Sequence, residues 1–156
     1  MLAWVAACSK EPAGSSPASR LIAAPFVGGT YVGDGKAAVL TEVTAHKHEP
    51  FDGRAVTELI FSAKSQAGSA DPAVDALFGK FGDALVARIE DDGAVVGVDV
   101  IHSGMGGGSV SIVGPIKTAG YKLADGQVSG RLTSGGPVEV FAHKVSIDLT
   151  FDAKAP

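Results

Sequence analysis

Four Asp-Gly pairs, Asp34-Gly35, Asp52-Gly53, Asp92-Gly93 and Asp125-Gly126, punctuate this chain, and no other feature limits its fold so tightly. Asp-Gly settles readily into the positive φ values of a type I′ turn, whose twist matches that of two antiparallel strands. The segments around the pairs suit that geometry. Val145, Ile147, Leu149 and Phe151 alternate with Ser146, Asp148 and Thr150, and Val128, Gly130 and Leu132 alternate with Ser129, Arg131 and Thr133. Leu85, Ala87 and Ile89 oppose Arg88 and Glu90, while Val39, Thr41, Val43 and Ala45 oppose Glu42, Thr44 and His46. Successive strand side chains leave opposite faces, so each alternation describes a strand with one buried and one wet face. Gly106-Gly107-Gly108 and Gly135-Gly136 add further loops. The pattern predicts consecutive hairpins, a meander rather than a βαβ crossover fold.

One segment departs from period two. Asp71-Pro72 followed by Val74, Leu77, Phe78 and Phe81 supplies an N-cap, a proline at the first helical position and apolar residues at i, i+3, i+4 and i+7. This predicts a short helix over about 72–81 whose apolar stripe faces the sheet. Phe78 and Phe81 read as packing residues, which favours a plug closing one end of the core over a lid on a cavity. The fold class is therefore mainly β, an antiparallel β-sandwich or small barrel of about 8–10 strands with one helix.

The 156 residues contain no run near the ~18 apolar residues that a spanning helix requires. Thirteen basic against seventeen acidic residues leave a net charge of −4 with neither sign clustered. Nucleic acid is excluded as a partner on that ground, since phosphate binding needs a basic patch. The single cysteine, Cys8, rules out an internal disulfide, so stability must come from the core of one β-rich domain over residues 26–156.

Cys8 follows Val5-Ala6-Ala7 and precedes a Pro/Ser-rich run, an arrangement that resembles the signal of bacterial lipoproteins. The resemblance implies that the Cys8 thiol is acylated, that the residues before it are removed and that the modified cysteine becomes the first residue. Ser9 after the cysteine implies sorting to the outer membrane, with the domain facing the periplasm. Residues 1–7 form a truncated signal-like segment, apolar but without Lys or Arg, and 8–25 form the anchor and a flexible tether. About 17 tether residues reach roughly 20–25 Å root-mean-square.

Candidate chemistry is sparse. His46 and His48 are two apart on a predicted strand, so both imidazoles leave the same face and present a candidate metal pair. His102, at the end of the alternation Val96, Val98, Val100, is a third candidate ligand, and His143 lies near the last strand. No HExxH, no Gly-x-Ser-x-Gly and no phosphate-binding Gly-x-x-x-x-Gly-Lys-Ser/Thr occurs, and Ser109 after the triple glycine has no motif-level partner. Glu90-Asp91-Asp92 lacks the spacing of a calcium loop. With Trp4 the sole tryptophan and Tyr31 and Tyr121 the sole tyrosines, no row of rings offers itself to a sugar.

These observations point to a lipid-anchored, periplasm-facing β-domain that binds another envelope protein, as an inhibitor, an immunity-type protector or an envelope-assembly factor. Its partners are then the membrane, through the lipid, and that protein. The alternative is a carrier of a small molecule or metal ion, using the domain interior or His46 and His48. An enzyme is the reading with least support, and no cofactor is called for.

Overall fold

The computed structural model describes residues 24–156. The signal-like segment, Cys8 and all of the tether before residue 24 lie outside the described residues. Three of the four Asp-Gly pairs form tight hairpins. Asp34-Gly35 joins β1 (Phe26–Gly33) to β2 (Lys36–Ala38), Asp52-Gly53 joins β3 (Glu42–Phe51) to β4 (Arg54–Ser62), and Asp125-Gly126 joins β8 (Lys117–Ala124) to β9 (Gln127–Thr133). Their aspartates have φ of 48°, 48° and 54° and their glycines 78°, 74° and 75°, the signature of type I′. Asp92-Gly93 works differently, in a four-residue loop between β5 (Ala84–Glu90) and β6 (Val95–Ile101). There only Gly93 takes a positive φ, 91°, while the Asp92 carboxylate accepts the Ala94 N–H at 2.9 Å. A further tight turn, invisible in the sequence, links β10 (Val138–Val140) to β11 (His143–Lys154) through Phe141 and Ala142, at φ of 48° and 67°.

Among the described residues eleven strands make two antiparallel sheets, and eight of these strands run seven residues or more. The shortest include β7 (Ser109–Ile112). One sheet is the expected meander, ordered β3-β4-β5-β6-β7. The other, ordered β2-β1-β11-β9-β8 with β10 also on β11, is not. Its longest strand, the twelve-residue β11, enters last and lies at the centre, pairing with β1 from Phe26↔Asp152 to Gly33↔Val145 and with β9 from Asp148↔Thr133 to Lys154↔Gln127. The strongest alternation in the sequence thus belongs to the strand with the most neighbours. The sheets stack face to face as a sandwich, not a closed barrel. Between them the inward residues fill the interior, among them Tyr31, Leu59, Phe61, Leu85, Ile89, Val98, Leu132, Ile147, Leu149 and Phe151. The Phe61 and Phe151 rings meet edge to face, centroids 5.5 Å apart.

The helix α1 is shorter than its sequence pattern, Pro72–Leu77, with Asp71 as N-cap accepting the Val74 N–H at 3.2 Å. Gly79, at φ of 73°, ends it where a left-handed residue is cheap. That early stop changes which face is buried. Phe78, expected in the core, is 80% exposed, whereas Phe81 is buried from the following turn. The helix closes no end of the main core; it lies on the outer face of the β3–β7 sheet. Ala73, Ala76 and Leu77 with Phe81 cover Ile60, Ala84, Val86 and Ile101 and form a second, smaller core. Among the described residues no helix is long and apolar enough to cross a membrane.

Candidate functional site

His102 leaves β6 toward the space between the sheets, and the fold is shaped around it. Its ring stands edge-on to Tyr31 with centroids 4.8 Å apart, and a Cβ at Gly33 would come within 2.7 Å of it, so only glycine leaves room there. Nδ1 accepts the Gly104 N–H at 2.9 Å, capping a 3-10 turn over Ser103–Met105. The proton of the neutral ring therefore sits on Nε2, which is buried with no hydrogen-bonding partner among the described residues. Tyr31 closes the same corner by donating to the Ala84 and Ile101 carbonyls at 2.8 and 3.1 Å.

Burial, with a smaller push from the nearby Asp83 carboxylate, holds the Tyr31 phenol far above its ordinary value of 10.0, and burial also raises Tyr121. The unfolded chain ionises both phenols as pH passes 10 while the folded chain resists. Stability is therefore intact below that pH and falls above it, by roughly 1.4 kcal/mol per pH unit for the deeply buried Tyr31. In a Tyr121→Phe background we expect no phenolate absorbance step near pH 10 in the native protein, and Tyr31 phenolate signal that rises together with unfolding. A separate step before unfolding in that background would show that Tyr31 is open to water.

Just outside His102, on the outer face of the β3–β7 sheet, lies a groove of about 480 Å³ whose lining includes Leu77, Phe78, Asp83, Ile101, Ser103 and Gly108. Asp83 is its single charge. The carboxylate accepts the Ser103 N–H at 2.5 Å and the Ser103 hydroxyl at 3.3 Å, and lies 4.0 Å from His102 Nδ1. Ser, His and Asp thus meet, but not as an acyl-transfer site. The serine hydroxyl donates to the carboxylate instead of the imidazole, and the imidazole Nδ1 is taken up in accepting the Gly104 N–H, so no base serves the hydroxyl.

The β1–β2 and β10–β11 turns complete this end of the sandwich. Asp34 accepts the Lys144 N–H at 2.7 Å and meets His143 Nδ1 at 2.7 Å. These two bonds, the backbone one foremost, hold the Asp34 carboxyl below its ordinary 3.8. Beside them Phe141 stands 83% exposed at the turn tip.

The three candidate metal ligands do not converge. His46 and His48 share the outer face of β3 as expected, while His102 faces the interior at the other end of the sheet. His46 Nε2 is bonded to Thr44 Oγ1 at 2.9 Å, and His48 Nδ1 lies 2.9 Å from the Glu49 carbonyl. Among the described residues no three His, Cys, Asp or Glu side chains are grouped to hold a metal ion. The interior proposed for a small molecule is filled by the core side chains named above.

His46 instead borders a buried ionic ladder that the sequence analysis missed. The register sets His46, Glu58 and Arg88 side by side on β3, β4 and β5. Arg88 Nε binds Glu58 at 3.1 Å and Nη1 binds Asp99 at 2.8 Å, and the Ser111 hydroxyl on β7 donates to the other Asp99 oxygen. Glu58 and Asp99 are each 7% exposed. The signal was present: a charge stands inside the apolar run of each of three strands, in Thr57-Glu58-Leu59, Ala87-Arg88-Ile89 and Val98-Asp99-Val100.

No protein-family model, no curated protein and no solved structure matches the chain.

Proposed function

We propose that this chain is a lipid-anchored β-sandwich that faces the periplasm and works by binding another envelope protein, as an inhibitor, protector or assembly factor. Phe141 carries the reading. A bulky aromatic in the left-handed region costs about 1–2 kcal/mol, and this one recovers none of it through burial, being 83% exposed. Folding alone would favour Asn at that turn position. An expensive, solvent-facing aromatic is what a contact surface selects, because aromatics anchor interfaces and backbone strain gathers where function demands it. Phe78 stands exposed on the groove at the same end of the sandwich. The Val5-Ala6-Ala7-Cys8 resemblance supplies the place, and the tether supplies the reach.

The test is a crosslinking pull-down of the tagged, full-length chain from its own cell envelope, with mass spectrometry of the Cys8 peptide. A lipid-modified Cys8 and one dominant partner are expected. Unmodified Cys8 removes the anchor, and absence of a partner removes the binding module. Phe141→Asn separates contact from folding: it should raise stability by about 0.5–1 kcal/mol in a denaturant titration while losing the partner. Equal capture by this variant would take Phe141 out of the interface.

A further inference from the structure

Each sheet edge has to deal with a row of backbone N–H and C=O groups that invite another strand, and proteins blunt such edges with charge, proline or bulges. Four of the edges here are blunted. β2 carries Lys36, β3 carries Lys47, Glu49 and Pro50, β8 carries Lys117, Lys122 and a register shift after Ala119, and β10 carries Glu139 behind Pro137. The fifth is bare. β7 reads Ser109-Val110-Ser111-Ile112 between Gly106-Gly107-Gly108 and Val113-Gly114, without a charge or proline, and among the described residues β6 is its sole neighbour in the sheet. Val113, just beyond it, is 75% exposed.

The groove adjoins that bare edge. Ser109 pairs with Ile101, and both Ile101 and the preceding Gly107 and Gly108 line the groove, whose apolar wall is Leu77 and Phe78 and whose single charge is Asp83. Asp83 has no Lys or Arg partner within salt-bridge distance among the described residues, only Ser103 and the neutral His102. A side chain with an apolar stem and a cationic head satisfies both walls, the stem along Phe78 and the head at Asp83. Such a side chain, on a strand paired with β7, would enter from the position opposite Ser109, because Ser109 and Ile101 share the outer face.

We infer that β7 accepts an extended strand of the partner protein, with an Arg or Lys opposite Ser109 seated in the Phe78–Asp83 groove. This rests on the binding-module reading and names its surface. Backbone bonds along the edge supply affinity and the groove supplies selectivity, the division of labour seen wherever a strand is added to a sheet. The chain's net charge of −4 favours a basic segment as well.

The experiment places a photoreactive phenylalanine analogue at Ser109, and separately at Lys47 and Lys122 on the blunted edges, in the full-length chain in producing cells. The crosslinked segment is identified, then synthesised, and its binding to the purified chain is measured. We expect capture at Ser109 of an alternating, strand-forming segment bearing Arg or Lys. Its affinity should fall about tenfold or more with Ser109→Lys, with Asp83→Asn or when the cation is replaced by Gln. Phe78→Ala, at an exposed position, should weaken binding without unfolding the chain. Capture at Lys47 or Lys122 alone overturns the β7 assignment and leaves the binding module standing. Capture at Ser109 of a second copy of this chain, or of a segment whose affinity ignores all four changes, also overturns it. Capture at no site overturns both readings.

Discussion

Phe61→Ala is expected to lower the free energy of unfolding by about 3–5 kcal/mol, read as a drop in denaturant midpoint at unchanged slope. The size follows from where the ring stands. Phe61 on β4 is 0% exposed and meets Phe151 on β11 edge to face, so one contact bridges the two sheets. The sheets form separate hydrogen-bonded units, and the lone cysteine precludes an internal disulfide. Side-chain contacts, chiefly packing and the Tyr31 hydrogen bonds, are then what join them. Removing the ring leaves a cavity that two stiff sheets cannot collapse to fill. Phe151→Ala should cost a similar amount, and the double variant should differ from the sum by about 0.5–1.5 kcal/mol, the edge-to-face contribution. Phe78→Ala provides the contrast, expected within about 0.5 kcal/mol of the parent. A Phe61→Ala loss below about 1 kcal/mol would mean that the sheets do not share this core.

The same two phenylalanines mark how far the sequence could be read. Phe151 ends an unbroken alternation from Val145, and that pattern placed it in the core because one side of a strand can face only one way. The Asp-Gly hairpins were legible for a related reason: the backbone at Asp34, Asp52 and Asp125 is dictated within the pair itself. What local chemistry does not dictate was lost. Nothing in β11 says that it pairs with both β1 and β9 at the centre of a sheet, since strand order is decided by distant contacts. Phe78 was misplaced because a 3.6-residue stripe was carried through Gly79, which instead turns the chain and sends Phe81 inward in its place. The placing of the histidines meets the same limit. His46 and His48 do share a face, but the face that His102 takes depends on the sheet packed opposite, which presents Gly33 and Tyr31 to it. Phe141, the residue on which the functional reading turns, has no turn signature at all, which is why its exposed, left-handed position is informative.

Arg88→Met is expected to cost about 3 kcal/mol, the low end of what breaking a buried ion pair costs, because the Arg88 side chain is 24% exposed and water can reach part of the site. The loss comes from what is left behind. Glu58 and Asp99 are each 7% exposed, and without the guanidinium two carboxylates on the strands flanking β5 would remain desolvated with no cation between them. Adding Glu58→Gln and Asp99→Asn should recover most of the loss, since a ladder emptied of charge no longer needs its centre. Failure of that rescue would assign the cost to packing of the arginine stem instead. The ladder also sets register. A one-residue slip of β4, β5 or β6 would turn Glu58, Arg88 or Asp99 onto the inner face beside Leu59, Leu85 and Val98, a penalty that apolar alternation alone would not impose so sharply. The rescued triple variant should therefore regain stability yet show faster amide exchange along β5 and β6 than the parent, because burial is restored and the register lock is not.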